Sequence, residues 1–176
     1  VKMRIGLRMS SDAQFDAVGS IVHVFATAST FVRATVADVP ESRMSECVGT
    51  IVNHPAWTLS HLNAYAASVL AMVDECDASE AAAEMARYGF GTTPVADASA
   101  HASKSELLRR FDERCARLVS VVPVKHTAYF SRPAPEKFQP HARVIGDVAT
   151  ILMTTHMGYH LGQLRQWRRA AGLTMK

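Results

Sequence analysis

His156 and His160 stand four residues apart in the segment His156-Met157-Gly158-Tyr159-His160-Leu161-Gly162-Gln163-Leu164. In a helix that is about one turn, so both imidazoles leave one face, roughly 6 Å apart along the axis. The same face carries Ile145, Val148, Leu152, Leu164 and Trp167, and should look into a core. Imidazoles among leucines suit two chemistries: nitrogens gripping one divalent ion, or rings hydrogen-bonded to a hydroxyl or carbonyl. Spacing alone leaves both open. A third inward ligand on a facing helix would favour the ion, because three protein ligands plus an open position is the usual catalytic zinc arrangement.

His61 is the candidate third ligand, mid-helix on a stripe of Trp57, His61, Tyr65, Ser68 and Met72. His54 lies two turns earlier, about 10 Å along the axis, where a rim or capping role is expected. His23 sits between Val22 and Val24 with no preferred orientation. His101, His126 and His141 fall in or beside connections and read as solvated surface residues.

Four segments with helical periodicity must position these groups. The first runs from about Ser11 to Ala34, with Phe15, Val18, Val22, Phe25 and Val32 inward, and breaks at Val39-Pro40. The second starts near Asn53, an N-cap candidate with Pro55 in the first turn. From about Asp77 to Ala102 the chain turns small and polar, a long surface connection with a short helical turn around Ala81 to Arg87. The third helix opens at Ser103, where Ser103 and Glu106 have capping-box spacing, and runs through Leu107, Phe111, Cys115, Leu118 and Val122 to Pro123. Pro133, Pro135 and Pro140 punctuate a second connection. The fourth helix spans about Arg143 to Ala171 and stops at Gly172. No stretch alternates like a strand. The expected fold class is all-α, a four-helix bundle with long crossover connections and a single domain over residues 1–176.

The 176 residues are enough to bury a core without disulfides or structural zinc, so a metal would not be needed for folding. A net charge of +3 is too mild to imply nucleic acid, and Arg165, Arg168, Arg169 and Lys176 suit a helix C-terminus. Cys47, Cys76 and Cys115 are odd in number and widely spaced, which points away from a disulfide framework and towards the cytoplasm. Arg4, Arg8, Asp12 and Asp16 interrupt any signal-peptide pattern, and no membrane span is expected.

Two blocks carry a family resemblance. Asn53-His54-Pro55-Ala56-Trp57-Thr58-Leu59-Ser60-His61-Leu62 resembles the second-helix signature of the DinB-like metalloproteins. The block from His156 to Leu164, followed by Trp167-Arg168-Arg169 and Gly172-Leu173, resembles their fourth-helix signature. The resemblance implies a four-helix bundle holding a divalent metal, zinc or nickel, on His61, His156 and His160. It also implies a frequent homodimer, for which the long apolar-faced helix offers a surface. Some relatives act with a low-molecular-weight thiol, as S-transferases or isomerases. Met157 departs from the pattern, since relatives often carry Glu after the first histidine of the pair; without it a zincin-like peptidase mechanism has no base.

Three neutral imidazoles on a 2+ ion would leave a positive centre with an open position, able to depress the pKa of a water or a thiol. Gln163 and Tyr65, and more weakly Tyr159 and Asn53, are placed to border the site, while Trp57 and Trp167 read as walls or packing. Three functions follow: thiol transfer or isomerisation of a small-molecule substrate, hydrolysis by hydroxide generated at the ion, or a non-catalytic metal-binding stress-response module. An open cavity at the ion would favour the first two, and a site sealed by Leu and Trp the third. Metal binding is expected to weaken on acidification through about pH 6.5, where free histidine protonates.

Overall fold

The computed structural model describes residues 16–74, 78–125 and 127–174, and it is all-helical, with no strand among them. Helix α1 spans Ala17–Val36, α2 Pro55–Asp74, α3 Ala78–Tyr88, α4 Lys104–Val121 and the single turn α5 Thr127–Phe130. The last helical stretch is α6 (Ile145–Ile151), a π-helical turn over Leu152–His156, and α7 (Met157–Ala170). Ser11 to Phe15, Cys76, His126 and Lys176 lie outside the described residues.

Local chemistry accounts for the ends. Asp16 Oδ1 accepts from Val18 N–H at 3.0 Å and caps α1. Ser103 Oγ accepts from Glu106 N–H at 3.3 Å, as the capping-box spacing predicts, but the Glu106 carboxylate turns to Arg109 and Arg110 instead of reaching back. The second helix is capped by His54, not Asn53. Trp57 N–H donates to His54 Nδ1 at 3.2 Å, while His54 Nε2–H donates to the Val95 carbonyl at 2.9 Å. Gly172, at φ +71°, takes the left-handed conformation that ends the final helix.

Helix α1 packs on α4 and α7, α2 packs on the same two from the other side, and α3 lies along α2. That position explains why α2 has little amphipathic character. It is covered on several faces at once, so Ser60, Asn63, Ala64 and Ala66 are as buried as Trp57, His61 and Tyr65. The expected surface connection after Asp77 is therefore wrong in its first part. Helix α3 is a three-turn element held by Glu84, whose carboxylate meets the Arg114 guanidinium of α4 at 2.6 Å, while Arg114 also donates to the Asn63 carbonyl of α2. The short turn expected around Ala81 to Arg87 is present and longer, its full length masked by alanines and short polar residues that carry little hydrophobic periodicity.

The final helix is interrupted where an unbroken one was expected. Upstream it buries Ile145, Val148, Ala149, Leu152 and Met153; downstream it buries Met157, His160, Leu161, Leu164 and Trp167. At about 100° per residue, the two sets would point about 100° apart on a continuous α-helix. One extra residue accommodated in the π turn brings them to the same side of the core. His156 is the last residue of that turn.

Two further expectations change. Arg168 does not simply face solvent at a helix end: it is 1% exposed, pairs with Asp38 at 2.7 Å and donates to the Thr35 carbonyl. Helix α1 is, by length and composition alone, apolar enough to cross a membrane, which the sequence reading did not anticipate. Its Val22, Phe25, Val32 and Val36 join the core, while Val18, expected inward, is exposed.

Candidate metal centre

Helix α2 touches both the π turn and α7, and so brings His61 against the His156–His160 pair. His156 Nε2 lies 3.0 Å from His61 Nε2 and 3.1 Å from His160 Nε2. All three candidate ligand atoms fall within 4.8 Å of one another. His61 and His160 are buried and His156 is half-buried. The convergence expected from the sequence is present.

The outer nitrogens fix which atoms point inward. His61 Nδ1–H donates to the Tyr88 carbonyl at the end of α3, at 2.5 Å. His160 Nδ1–H donates to Gln163 Oε1 at 2.7 Å. Each donation leaves Nε2 as a bare lone pair. His156 Nδ1 is buried without a protein partner among the described residues. Nitrogens this close need a donor or a cation between them: either an N–H on His156 shared by the two bare acceptors, or a cation that satisfies all three. Zinc–nitrogen bonds of about 2.0–2.1 Å place two ligands on one ion about 3.0–3.4 Å apart. The two separations to His156 Nε2 fit, as do carbonyl and carboxamide acceptors on the outer nitrogens of His61 and His160, the usual support of metal-bound imidazole.

Electrostatics keep the ligands ready. Burial lowers the His61 pKa to about 4, against the opposing bond to Tyr88. Burial lowers His156 to about 3, aided by repulsion from His160 and His61. Burial and His61 bring His160 to about 4, with Gln163 pulling the other way. The expectation of proton competition near pH 6.5 is thereby corrected: in the folded chain the rings stay neutral until about pH 4. Among the described residues no carboxylate joins the triad, so a 2+ ion there would keep its full charge.

Around the centre, Trp57 stacks on His61 with ring centroids 4.8 Å apart. Tyr65 lies 4.7 Å from His61 and 4.4 Å from His156, and its hydroxyl accepts from Phe90 N–H at 3.2 Å. Tyr159 stands edge-on to His160 but is 64% exposed. Asn53 takes no part; its carbonyl accepts from Thr58. Trp167 is core packing, with its indole N–H bonded to the Glu46 carbonyl. Met157 is buried in the core, a position where a glutamate would be desolvated.

The other histidines separate cleanly. His23 is exposed on α1. His101 is half-buried, not solvated, with Nε2 on the Val95 carbonyl and its ring edge-on to His54. His141 is exposed, at the mouth of a cavity of about 690 Å³ that reaches inward to Tyr65 and His156. The sequence reading missed two site features. The Tyr88 carbonyl is a backbone group with no residue signature, and the cavity walls come from α3 and the 137–142 segment, which had been read as connections.

No family model, curated protein or solved structure matches this chain.

Proposed function

We propose that this chain is a DinB-like four-helix bundle whose His61, His156 and His160 hold a divalent zinc or nickel ion, and that it catalyses a thiol-dependent transfer or isomerisation in the cytoplasm. The single observation that carries the proposal is the meeting of three imidazoles at His156 Nε2, with His156 itself on the wall of an open cavity. The ring formed by α1, α4, α2 and α7 supports the bundle reading. When bound, such an ion supplies a Lewis-acid position that lowers the pKa of a thiol or water placed on it.

The chain's own groups do the rest. Tyr88 and Gln163 hold two ligand rings in the donating tautomer. Burial raises the Tyr65 pKa above its usual value, so its hydroxyl stays protonated as a neutral neighbour of the centre. Among the described residues the cavity is lined by no carboxylate. A thiolate needs no further base once formed, whereas hydrolysis gains from one to orient and deprotonate water. That asymmetry favours transfer over the second reading, a hydrolase. Cys115 is not the thiol: burial pushes its pKa up to about 12.

The test loads the protein with zinc or nickel and supplies a small thiol with 1-chloro-2,4-dinitrobenzene. A carbon–sulfur bond forms, the carbon–chlorine bond breaks, chloride leaves and the thiol proton passes to solvent. Transfer predicts metal-dependent conjugation lost in His156→Ala. Thiol-independent cleavage of p-nitrophenyl acetate would favour the hydrolase, and inertness towards both would favour a non-catalytic module.

A further inference from the structure

The cavity that reaches His156 is built asymmetrically. Its walls are Met85 and Ala86 of α3, Phe138, and Ile151 with Leu152 from the final helical stretch. Its side-chain polar groups are few: Tyr65 and His156 on the inner side, Lys137 and His141 at the exposed mouth. Lys137 Nζ rests over the Phe138 ring, 5.1 Å from its centroid, and pairs with no carboxylate among the described residues. Phe90, at the same mouth, is 96% exposed, held on a turn that Gly91 makes at φ +84°. A volume of about 690 Å³ falls within the range of small-molecule sites.

We propose that this cavity binds an amphipathic anion, with an aryl or alkyl body along Phe138, Met85 and Ile151 and an acidic group held at the mouth by Lys137 and His141. An apolar wall rewards burial of a hydrophobic body. A cation without a counter-ion, beside a wall free of carboxylates, selects an anion and rejects a cation. With its head at the mouth, the ligand presents its far end to Tyr65 and His156. Only this last clause rests on the metal reading above; the binding itself does not.

The test is calorimetric titration of the full chain, both chelator-treated and zinc-loaded, with three near-isosteric probes: 1-naphthylacetate, 1-naphthylacetamide and 1-naphthylmethylammonium. Naphthylacetate should bind both forms, with the amide about fivefold weaker, as suits one solvent-exposed ion pair, and the ammonium weaker still. Lys137→Met, a surface change, should erase the preference for the carboxylate. Ala86→Trp should block all three probes while the helical circular dichroism stays unchanged. Equal binding of acid and amide, or an unchanged preference in Lys137→Met, would overturn the proposal. Naphthylacetate binding confined to zinc-loaded protein would also overturn it, since the carboxylate would then be a metal ligand, and the metal reading would survive. Binding intact in a protein that takes up no zinc would sustain the cavity and sink the metal reading.

Discussion

Gln163 Oε1 accepts a hydrogen bond from His160 Nδ1–H at 2.7 Å, and this bond determines that the opposite nitrogen faces His156 and His61. Losing such an outer bond costs a metal site about 10- to 100-fold in affinity. Gln163→Leu should therefore weaken zinc binding by roughly that factor, read by competition with a chromogenic chelator. An unchanged affinity would mean that His160 is oriented by packing alone.

The support of His61 is longer-ranged. Its acceptor, the Tyr88 carbonyl, lies one turn beyond Glu84, which Arg114 clamps from α4. Both members of that pair are about 15% exposed or less. Arg114→Met leaves Glu84 only its longer 3.6 Å pairing with Arg110 and should destabilise the chain by about 1–3 kcal/mol in urea denaturation. Zinc affinity should fall with it, and Arg114→Lys should recover part of both losses. A destabilised variant with undiminished affinity would separate α3 from the centre.

Acid should reveal the depressed imidazoles. Their folded pKa values, about 4, 3 and 4, lie below the unfolded value of about 6.5. Between those limits the unfolded chain binds more protons, so stability is full above about pH 6.5 and is lost as pH falls towards 4. Denaturation of metal-free protein across that window should show the slope, and it should be shallower in His156→Ala. Zinc held by the folded chain should survive well below pH 6.5, which equilibrium dialysis at pH 5.5 checks. Release of the ion at pH 6 would contradict the burial argument.

Cysteine reactivity offers a control on the chemistry. Cys115 is buried with its pKa pushed up to about 12, whereas Cys47 is exposed. Iodoacetamide at pH 8 should modify Cys47 and spare Cys115 in the native protein, as peptide mass mapping would record. Thiol-dependent activity should persist in Cys115→Ala.

Sequence pattern revealed the triad because helix spacing and an inward stripe are enough to align His156 with His160, and a second stripe to offer His61. It also revealed α4, whose Ser103 cap and apolar periodicity agree. It caught α3 only as a short turn around Ala81 to Arg87 within a connection, because Ala81 is the one buried residue of the helix and Glu84, not a hydrophobe, makes the anchoring contact. The π turn left no local signal, because Met153 and Met157 keep the ordinary four-residue spacing of a helix face and only the observed burial reveals the change. The cap at His54 was obscured by Asn53, a residue type with stronger capping preference. The cavity was invisible because its walls assemble from α2, α3, α6 and the 137–142 segment, with no local pattern to unite them.

Metal stoichiometry tests the central claim most directly. Protein purified without a tag and dialysed against zinc or nickel should carry about one ion per chain by elemental analysis. His61→Ala, His156→Ala and His160→Ala should each lose it, while His101→Ala keeps it. A wild-type chain that stays empty after loading, or equal retention in all four variants, would contradict the account.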